Sequence, residues 1–576
     1  MMKQLLWFCA ISVLTLSLAF AGSGKKQRGV QQPVNFVETN TPATAAKYVA
    51  SDPGPRSLSA VGTSTTLSGF YDYQINGGAP QHIRVNPANG NIHVVYMMAE
   101  DSANSNPSRR VAYAFSSNGG TSWNNFTNVR VPARRGGFPT LDLLQGANAG
   151  LPAIANHNDP GTGLRTVLYV DSPEGTGAFS ELNTPPALGS DEPIWPYVAG
   201  PSDGSIVVHA SRSAGGTNHL NRTTDFATWQ ATWTSYPLPN NSGGRYATAA
   251  NATGRVGSLL NAVGTGVFLL ESTNNGVSWP ATSNQIYPAN PPGRIAGVDT
   301  FQAWVGSDIV YKGNTAYVAI NELNVGTSDP TDGSQILFWS AATGFKVAAT
   351  RANTPGSTTV LNRAQANHRT IGYPAIGMSG DTVVIVYQGF KKDTSAVGFN
   401  YSDIFVVVST NGGNNWTAPR NLTNTTNLDE RYPSISKWNQ RGFANITWQE
   451  DTQPGSHAFS DNAPISRSTL VYYKWPLVIT DVRVGAELPV AYRLEQNFPN
   501  PFNPSTKISY TVPSGTNVSL KVYNALGQEV ATLVNDYRSV GNYEAEFSAA
   551  NLASGVYYYT LKAGSFTATK KMVLMK

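Results

Sequence analysis

One short pattern returns seven times along the middle of this chain and dictates how it can fold. A strand rich in β-branched and aromatic residues, closing near Ser or Thr, recurs at residues 110–116, 165–171, 217–223, 266–272, 334–340, 403–409 and 468–474. Successive copies stand about 60 residues apart, which suits one four-stranded propeller blade with generous loops. A unit of that size cannot bury both faces of its own sheet, so the copies must pack on one another. The pattern therefore predicts an all-β chain: a six- or seven-bladed β-propeller, seven favoured, over residues 64–480. The repeated strand reads as the outer strand of each blade. The strand-like stretch Thr66-Leu-Ser-Gly-Phe-Tyr-Asp-Tyr73 is placed to complete the last blade beside residues near Leu477-Val-Ile-Thr480, which closes the ring and hides its edge.

Composition agrees. Charged residues are 13% of the chain, about half the usual quarter, while 54 Gly and 36 Pro punctuate it with turns. That excludes a coiled coil or a charged disordered polymer. The net charge of +5 is scattered rather than gathered into a stripe, which argues against nucleic acid as a partner. The one cysteine, Cys9, lies in a segment expected to be removed, so no thiolate metal site or disulfide is expected in the mature chain.

After three of the repeated strands comes a tight turn and a tryptophan: Ser116-Ser-Asn118-Gly-Gly120-Thr-Ser-Trp123, Ser272-Thr-Asn274-Asn-Gly276-Val-Ser-Trp279 and Ser409-Thr-Asn411-Gly-Gly413-Asn-Asn-Trp416. A degenerate fourth copy holds Asp225 and Trp229. The Asn side chain is able to bond the amides of its own turn, the Gly tolerates positive φ, and the Trp covers the hairpin edge. These turns resemble the Asp-box, or BNR, repeat of sialidase-like propellers, with Asn in place of Asp in the three good copies. The boxes read as structural staples on the blade periphery.

A second element is a proline preceded by a large apolar residue: Gly137-Phe-Pro139, Gly150-Leu-Pro152, Ile194-Trp-Pro196, Gly372-Tyr-Pro374 and Arg431-Tyr-Pro433. Proline fits at the first residue of a strand, where no ladder donor is needed. These are read as entrances to the innermost strands, their aromatics facing the mouth of the central channel. Trp195, Tyr197, Tyr373 and Tyr432 are thereby candidates for holding a ligand.

The ends carry an address. Residues 1–21 have a basic start at Lys3, an apolar run and the small-residue exit Ala19-Phe-Ala21, the three parts of a secretory signal peptide. Residues 22–63 read as a polar leader and 481–491 as a linker, and no transmembrane segment is expected in the mature chain. Beyond Tyr492 the sequence alternates with period two and predicts about seven short strands in an immunoglobulin-like sandwich, 492–576. Its Leu494-Glu-Gln-Asn-Phe-Pro-Asn-Pro-Phe-Asn-Pro504 opening, its Val522-Tyr-Asn-Ala-Leu-Gly527 middle and its Leu552-Ala-Ser-Gly-Val556 hairpin resemble the C-terminal sorting domain of type IX secretion cargo. That resemblance implies export across a Gram-negative outer membrane, with the secretion machinery as a partner and a secreted or surface-attached product.

Chemistry is less sharply written. The sialidase resemblance implies an arginine trio for a sugar carboxylate, a tyrosine nucleophile with a glutamate partner, and an acid/base. The candidates are Arg245, Arg369 and Arg431, with Tyr432 and Glu430, and Asp101, Asp191 or Asp299 as the acid. The family's Phe/Tyr-Arg-Ile-Pro signature is missing, since the corresponding entrance reads Arg135-Gly-Gly-Phe-Pro139. Phosphate-loop, nucleophile-elbow and zinc-helix motifs are also missing. Asp329-Pro-Thr-Asp-Gly333 offers Ca²⁺ oxygen ligands but lacks the EF-hand pattern, so no cofactor is expected. Two readings stand: a displayed propeller that binds a glycan or a protein, and an extracellular sialidase-like glycoside hydrolase.

Overall fold

A computed structural model describes residues 61–75, 78–103, 105, 107–130, 134–159, 163–189, 192–212, 216–238, 245–262, 264–288, 301–324, 333–358, 368–459, 463–477, 491–513, 516–538 and 541–576. The signal peptide, nearly all of the leader, Asp191, Asp299, residues 329–332 of the acidic loop and residues 481–490 of the linker lie outside the described residues. The described chain is all β, and its helical turns are single 3₁₀ segments at Gly146–Asn148, Arg351–Asn353 and His457–Phe459.

Among the described residues between 63 and 476 there are seven sheets, antiparallel but for one short strand. Their innermost strands, in chain order, are Ile83–Val85, Gly136–Leu143, Pro193–Ala199, Arg245–Ala250, Phe301–Lys312, Ile371–Ser379 and Asp429–Ile435. We number the sheets 1 to 7 in that order. Each packs on the next, and sheet 1 packs on sheet 7, so the set closes on itself. The repeated strand of the sequence is the third of its sheet, not the outermost. A further strand follows the tryptophan turn, as Asn124–Phe126 does in sheet 1 and Asn284–Pro288 in sheet 4. Sheet 6 has a fifth strand, Trp438–Asn439, parallel to Ile371–Ser379.

The ring is closed by its first strand. Thr63–Gly69 pairs antiparallel with Ser468–Pro476, Thr63 opposite Tyr472 and Gly69 opposite Ser468. Of the stretch around which the partner was expected, Leu477-Val-Ile-Thr480, residues 478–480 lie outside the described residues, and the pairing is made by the strand that ends just before it.

Sheet strands in the ring do not alternate between apolar and polar, because both faces of each sheet are covered by neighbours. Val383, Val384, Ile385, Val386 and Tyr387 are consecutive and all fully buried. A continuous apolar run is what a doubly covered strand requires. The C-terminal strands behave differently: Ser505–Val512 and Gly555–Ala563 alternate buried with exposed or half-buried positions, as strands with one wet face do. Seven strands there form two sheets around a core of their own that includes Leu494, Ile508, Leu520, Tyr559, Leu561 and Met572.

The tryptophan turns join adjacent sheets. Ser116 Oγ accepts the Gly120 amide at 2.9 Å and Asn118 Oδ1 accepts the Ser122 amide at 3.0 Å. Ser272, Asn274, Gly276 and Ser278 repeat both bonds, and so do Ser409, Asn411, Gly413 and Asn415. In the fourth copy Asp225 Oδ1 accepts the amides of Ala227 and Thr228. Trp123 meets Tyr472 of sheet 7 edge-on, Trp416 packs on Phe338 of sheet 5, and Trp229 Nε1 donates to the Asn183 carbonyl. Trp279 packs partly buried against the sheet cores. Burial of one such side chain contributes about 1.5–3 kcal/mol. A fifth turn, missed in the sequence because it has no tryptophan, uses Asp171 to hold the Gly175 amide at 2.9 Å.

Candidate functional site

Four of the five proline elements lie inside innermost strands, and each interrupts the ladder. Register slips between Gly137 and Thr140, Ile194 and Tyr197, Gly372 and Ala375, and Arg431 and Ser434. In each case an aromatic-proline pair stands opposite one residue of the second strand, which is a β-bulge. Proline explains the slip, since it has no amide for the ladder. The aromatic before it sits at positive φ: 50° at Phe138, 54° at Trp195, 52° at Tyr373 and 53° at Tyr432. A bulge re-aims its side chain; here all four rings enter one buried cluster with Tyr71, Tyr73 and Trp304. The fifth element departs from expectation: Pro152 opens the second strand of sheet 2.

The chain after the closing strand fills the space these rings surround. Tyr71 and Tyr73 are fully buried, and the Tyr73 ring stands edge-on to Phe138 at 5.9 Å and to Tyr432 at 6.4 Å. Farther on, Tyr197 Oη of sheet 3 donates to the Ala79 carbonyl at 3.0 Å, and Gln81 Nε2 donates to the Thr248 carbonyl of sheet 4 at 2.8 Å. Gln81 also receives the Leu141 amide of sheet 2 on its carbonyl. Residues 70–75 and 78–82 thus form a stopper tied to sheets 2, 3 and 4. Tyr373 and Tyr432, each 1% exposed, are interior packing beneath it rather than lining of an open mouth.

A cleft remains beside the stopper. It measures about 540 Å³ with the solvent at its mouth, and Gln74, Phe138, Trp195, Tyr197, Arg245 and Tyr246 are among its walls. Its floor is rigid: Tyr246 Oη donates to the Trp195 carbonyl at 2.7 Å, and the His209 ring stacks on Tyr246 at 3.9 Å. Arg245 begins the innermost strand of sheet 4 and is 5% exposed. Its Nε and Nη2 have no hydrogen-bond partner among the described residues, nor does Trp195 Nε1. Burial pushes the guanidinium below its ordinary pKa, and the groups that act in its favour are tyrosines, Tyr73, Tyr373, Tyr246 and Tyr197, rather than a carboxylate.

The other candidates have different company. Arg431 Nε lies 2.9 Å from Asp429 Oδ2, and its guanidinium stands over the Tyr432 ring. Burial opposes the Arg431 charge, but Asp429, Tyr432, Asp72 and Asp451 outweigh burial and hold its pKa above the usual value. Arg369 lies flat over Trp304, 3.9 Å from the ring centre, and donates to the His368 carbonyl. Glu430 accepts from Thr425 Oγ1 at 2.8 Å, and burial, reinforced by the charge of Asp403, raises its pKa. Tyr432 Oη has no hydrogen bond to Glu430. Asp101 holds the amide of Ala103 in its own exposed turn. Of the three arginines the sequence singled out, Arg245 alone lines the cleft. A fourth, Arg109, went unnoticed; it is fully buried and donates to Tyr71 Oη at 3.0 Å. No group of three His, Cys, Asp or Glu among the described residues has the geometry to hold a metal ion.

The match to a known family decides what the C-terminal sandwich is. Residues 496–575 match the model of the secretion system C-terminal sorting domain. This segment is such a sorting domain. It supports secretion of the chain, and among the described residues no helix is long and apolar enough to cross a membrane. The sorting domain accounts for the tail alone. No protein of curated function matches the chain. Among solved structures, the polysaccharide lyase Uly1 is similar over 76% of this chain and 99% of its own, at 11% identity and a TM-score of 0.42. Trypanosoma rangeli sialidase in complex with the inhibitor DANA covers 85% of this chain and 84% of its own, at 11% identity and a TM-score of 0.36. The Hadza microbial sialidase Hz136 covers 45% and 51%, at 15% identity and a TM-score of 0.31. Likenesses this distant say nothing about activity.

Proposed function

We propose that this exported protein binds an extracellular glycan bearing a carboxylate, in the cleft between the stopper and sheets 2 to 4. One observation carries the reading: Arg245 is a buried guanidinium with two donor atoms unpartnered among the described residues, and the groups that favour its charge are tyrosines. A buried charge without a counter-ion is costly, and an incoming anion relieves that cost. Guanidinium pairs with carboxylate through two parallel hydrogen bonds, and Nε with Nη2 is one of the two edges able to do so. Trp195, Tyr197 and Tyr246 give the apolar walls on which a sugar ring packs. The resemblance to type IX cargo supports delivery to the cell surface or the medium.

Binding is favoured over sialidase-like turnover because the nucleophile candidate and its glutamate partner are engaged elsewhere, Tyr432 inside the ring cluster and Glu430 with Thr425. Titration calorimetry of the secreted protein with glucuronate- and sialate-terminated oligosaccharides, beside their neutral counterparts, tests the reading. The acidic ligands should bind and the neutral ones should bind at least tenfold more weakly, and Arg245→Gln should erase the difference. Equal affinity for both, or no binding of either, rejects it.

A further inference from the structure

Three side chains far apart in sequence meet where sheet 1 joins sheet 7. Ser105 lies in the connection between Ile92–Met98 and Arg110–Ser116, His457 opens the 3₁₀ turn His457–Phe459, and Asp72 belongs to the stopper. Ser105 Oγ is 3.2 Å from His457 Nε2, and His457 Nδ1 is 2.9 Å from Asp72 Oδ2. All three are buried, at 7%, 5% and 3% exposure. Asp72 is held firmly: its carboxylate accepts from Ser456 Oγ at 3.1 Å, from the His457 amide at 2.8 Å and from the Ala458 amide at 3.3 Å. The approach of Oδ2 to Nδ1 is a close electrostatic contact rather than an aligned hydrogen bond.

We infer that Ser105 is a nucleophile toward carboxylic esters, with His457 as its general base and Asp72 as the positioning residue. The argument is one of proton accounting. A carboxylate beside Nδ1 keeps the proton on that nitrogen, which leaves Nε2 as an acceptor for the Ser105 hydroxyl. The backbone amide of His457 and the nearby Ala458 amide fix the carboxylate, so the ring keeps its orientation without a substrate. Catalytic contacts in an unliganded site are commonly longer or less aligned than in the working complex. In the reaction, Ser105 Oγ attacks the ester carbonyl and its proton passes to His457 Nε2. The C–O bond to the alcohol breaks, and the alcohol leaves with that proton. Water then attacks the acyl-serine, again through Nε2, releasing the carboxylic acid and restoring Ser105. The net reaction is ester plus water to acid plus alcohol. This activity is separate from ligand binding at Arg245, and either reading stands if the other fails.

The test is covalent labelling of the full secreted chain with a fluorophosphonate probe, with the modified peptide located by mass spectrometry. One phosphonyl group should appear on Ser105 in the folded protein and vanish after heat denaturation. Ser105→Ala should abolish the label and the hydrolysis of p-nitrophenyl acetate above background. His457→Gln should slow labelling at least hundredfold. Asp72→Asn should slow labelling of Ser105 at least tenfold, and Asp72→Glu should restore part of that rate. Absence of any adduct on Ser105 in the unmodified folded protein, under conditions that label a known serine esterase, overturns the inference whatever the variants do.

Discussion

Gly120 lies directly against the Tyr472 ring: a Cβ built on it would stand 2.1 Å from Cε1 of that ring. The two residues belong to sheets 1 and 7, so their contact is part of the seam where the ring closes. Tyr472 cannot yield, since it is 2% exposed and its hydroxyl is fixed by Asn445 at 2.6 Å. Gly120→Ala should therefore destabilise the protein by roughly 2–4 kcal/mol, combining positive φ with overpacking. Gly119 also has positive φ, 72°, but faces open space, and Gly119→Ala should cost only about 1–2 kcal/mol. Urea unfolding of both variants measures the difference.

The two arginines with different company should respond oppositely to the same change. Arg431→Met leaves Asp429, Asp72 and Asp451 without their shared cation and should destabilise by about 3–5 kcal/mol. Arg245→Met removes a charge that has no carboxylate partner among the described residues, so stability should hold or rise by roughly 1 kcal/mol. Thermal unfolding without ligand separates the cases; equal losses would mean that Arg245 has a counter-ion after all.

Acid should unfold the protein, and the sign follows from three buried histidines. Burial is the leading cause that drops His82 and His209 from the ordinary 6.5 to about 3, and His219 to about 4. The unfolded chain takes up these protons first, so stability is lost as pH falls below about 6.5 and the loss continues toward the folded values. Asp451 acts the other way. Burial lifts its carboxyl from 3.8 to about 6, so the folded chain takes up this proton first and gains stability between about pH 6 and pH 4, by roughly 3 kcal/mol. Asp451→Asn removes that offset, and the melting temperature should fall more steeply over the same range than in the unmodified protein.

Deleting residues 491–576 should stop secretion without weakening the ring. The sandwich has its own core cluster, distinct from those of the seven sheets. Cell fractionation should find the shortened chain retained inside the envelope, with the melting temperature of the seven-sheet region unchanged.

Much of the architecture was legible because it is local. The strand-turn-tryptophan pattern needs only neighbouring residues, so the boxes at Asn118, Asn274 and Asn411 fold as their spacing implies. The proline elements were visible too, but their meaning was not: sequence places Pro139 at a strand entrance, whereas the bulge that turns Phe138 inward arises from pairing with His157 and Ala155 of the next strand. The site was least legible. Whether Arg245 has a counter-ion depends on what seven sheets bring around it, and Ser105 and His457 are 352 residues apart until the ring closes.

That closure has a consequence for the order of events during export. The clasp is made by Thr63–Gly69 and Ser468–Pro476, and the sorting domain begins only after both. Proteolysis between them and the tail would release a finished ring, while a cut a few dozen residues earlier would leave the first strand with nothing to hold. A maturation protease acting on this chain thus has a narrow stretch in which it can detach the passenger intact.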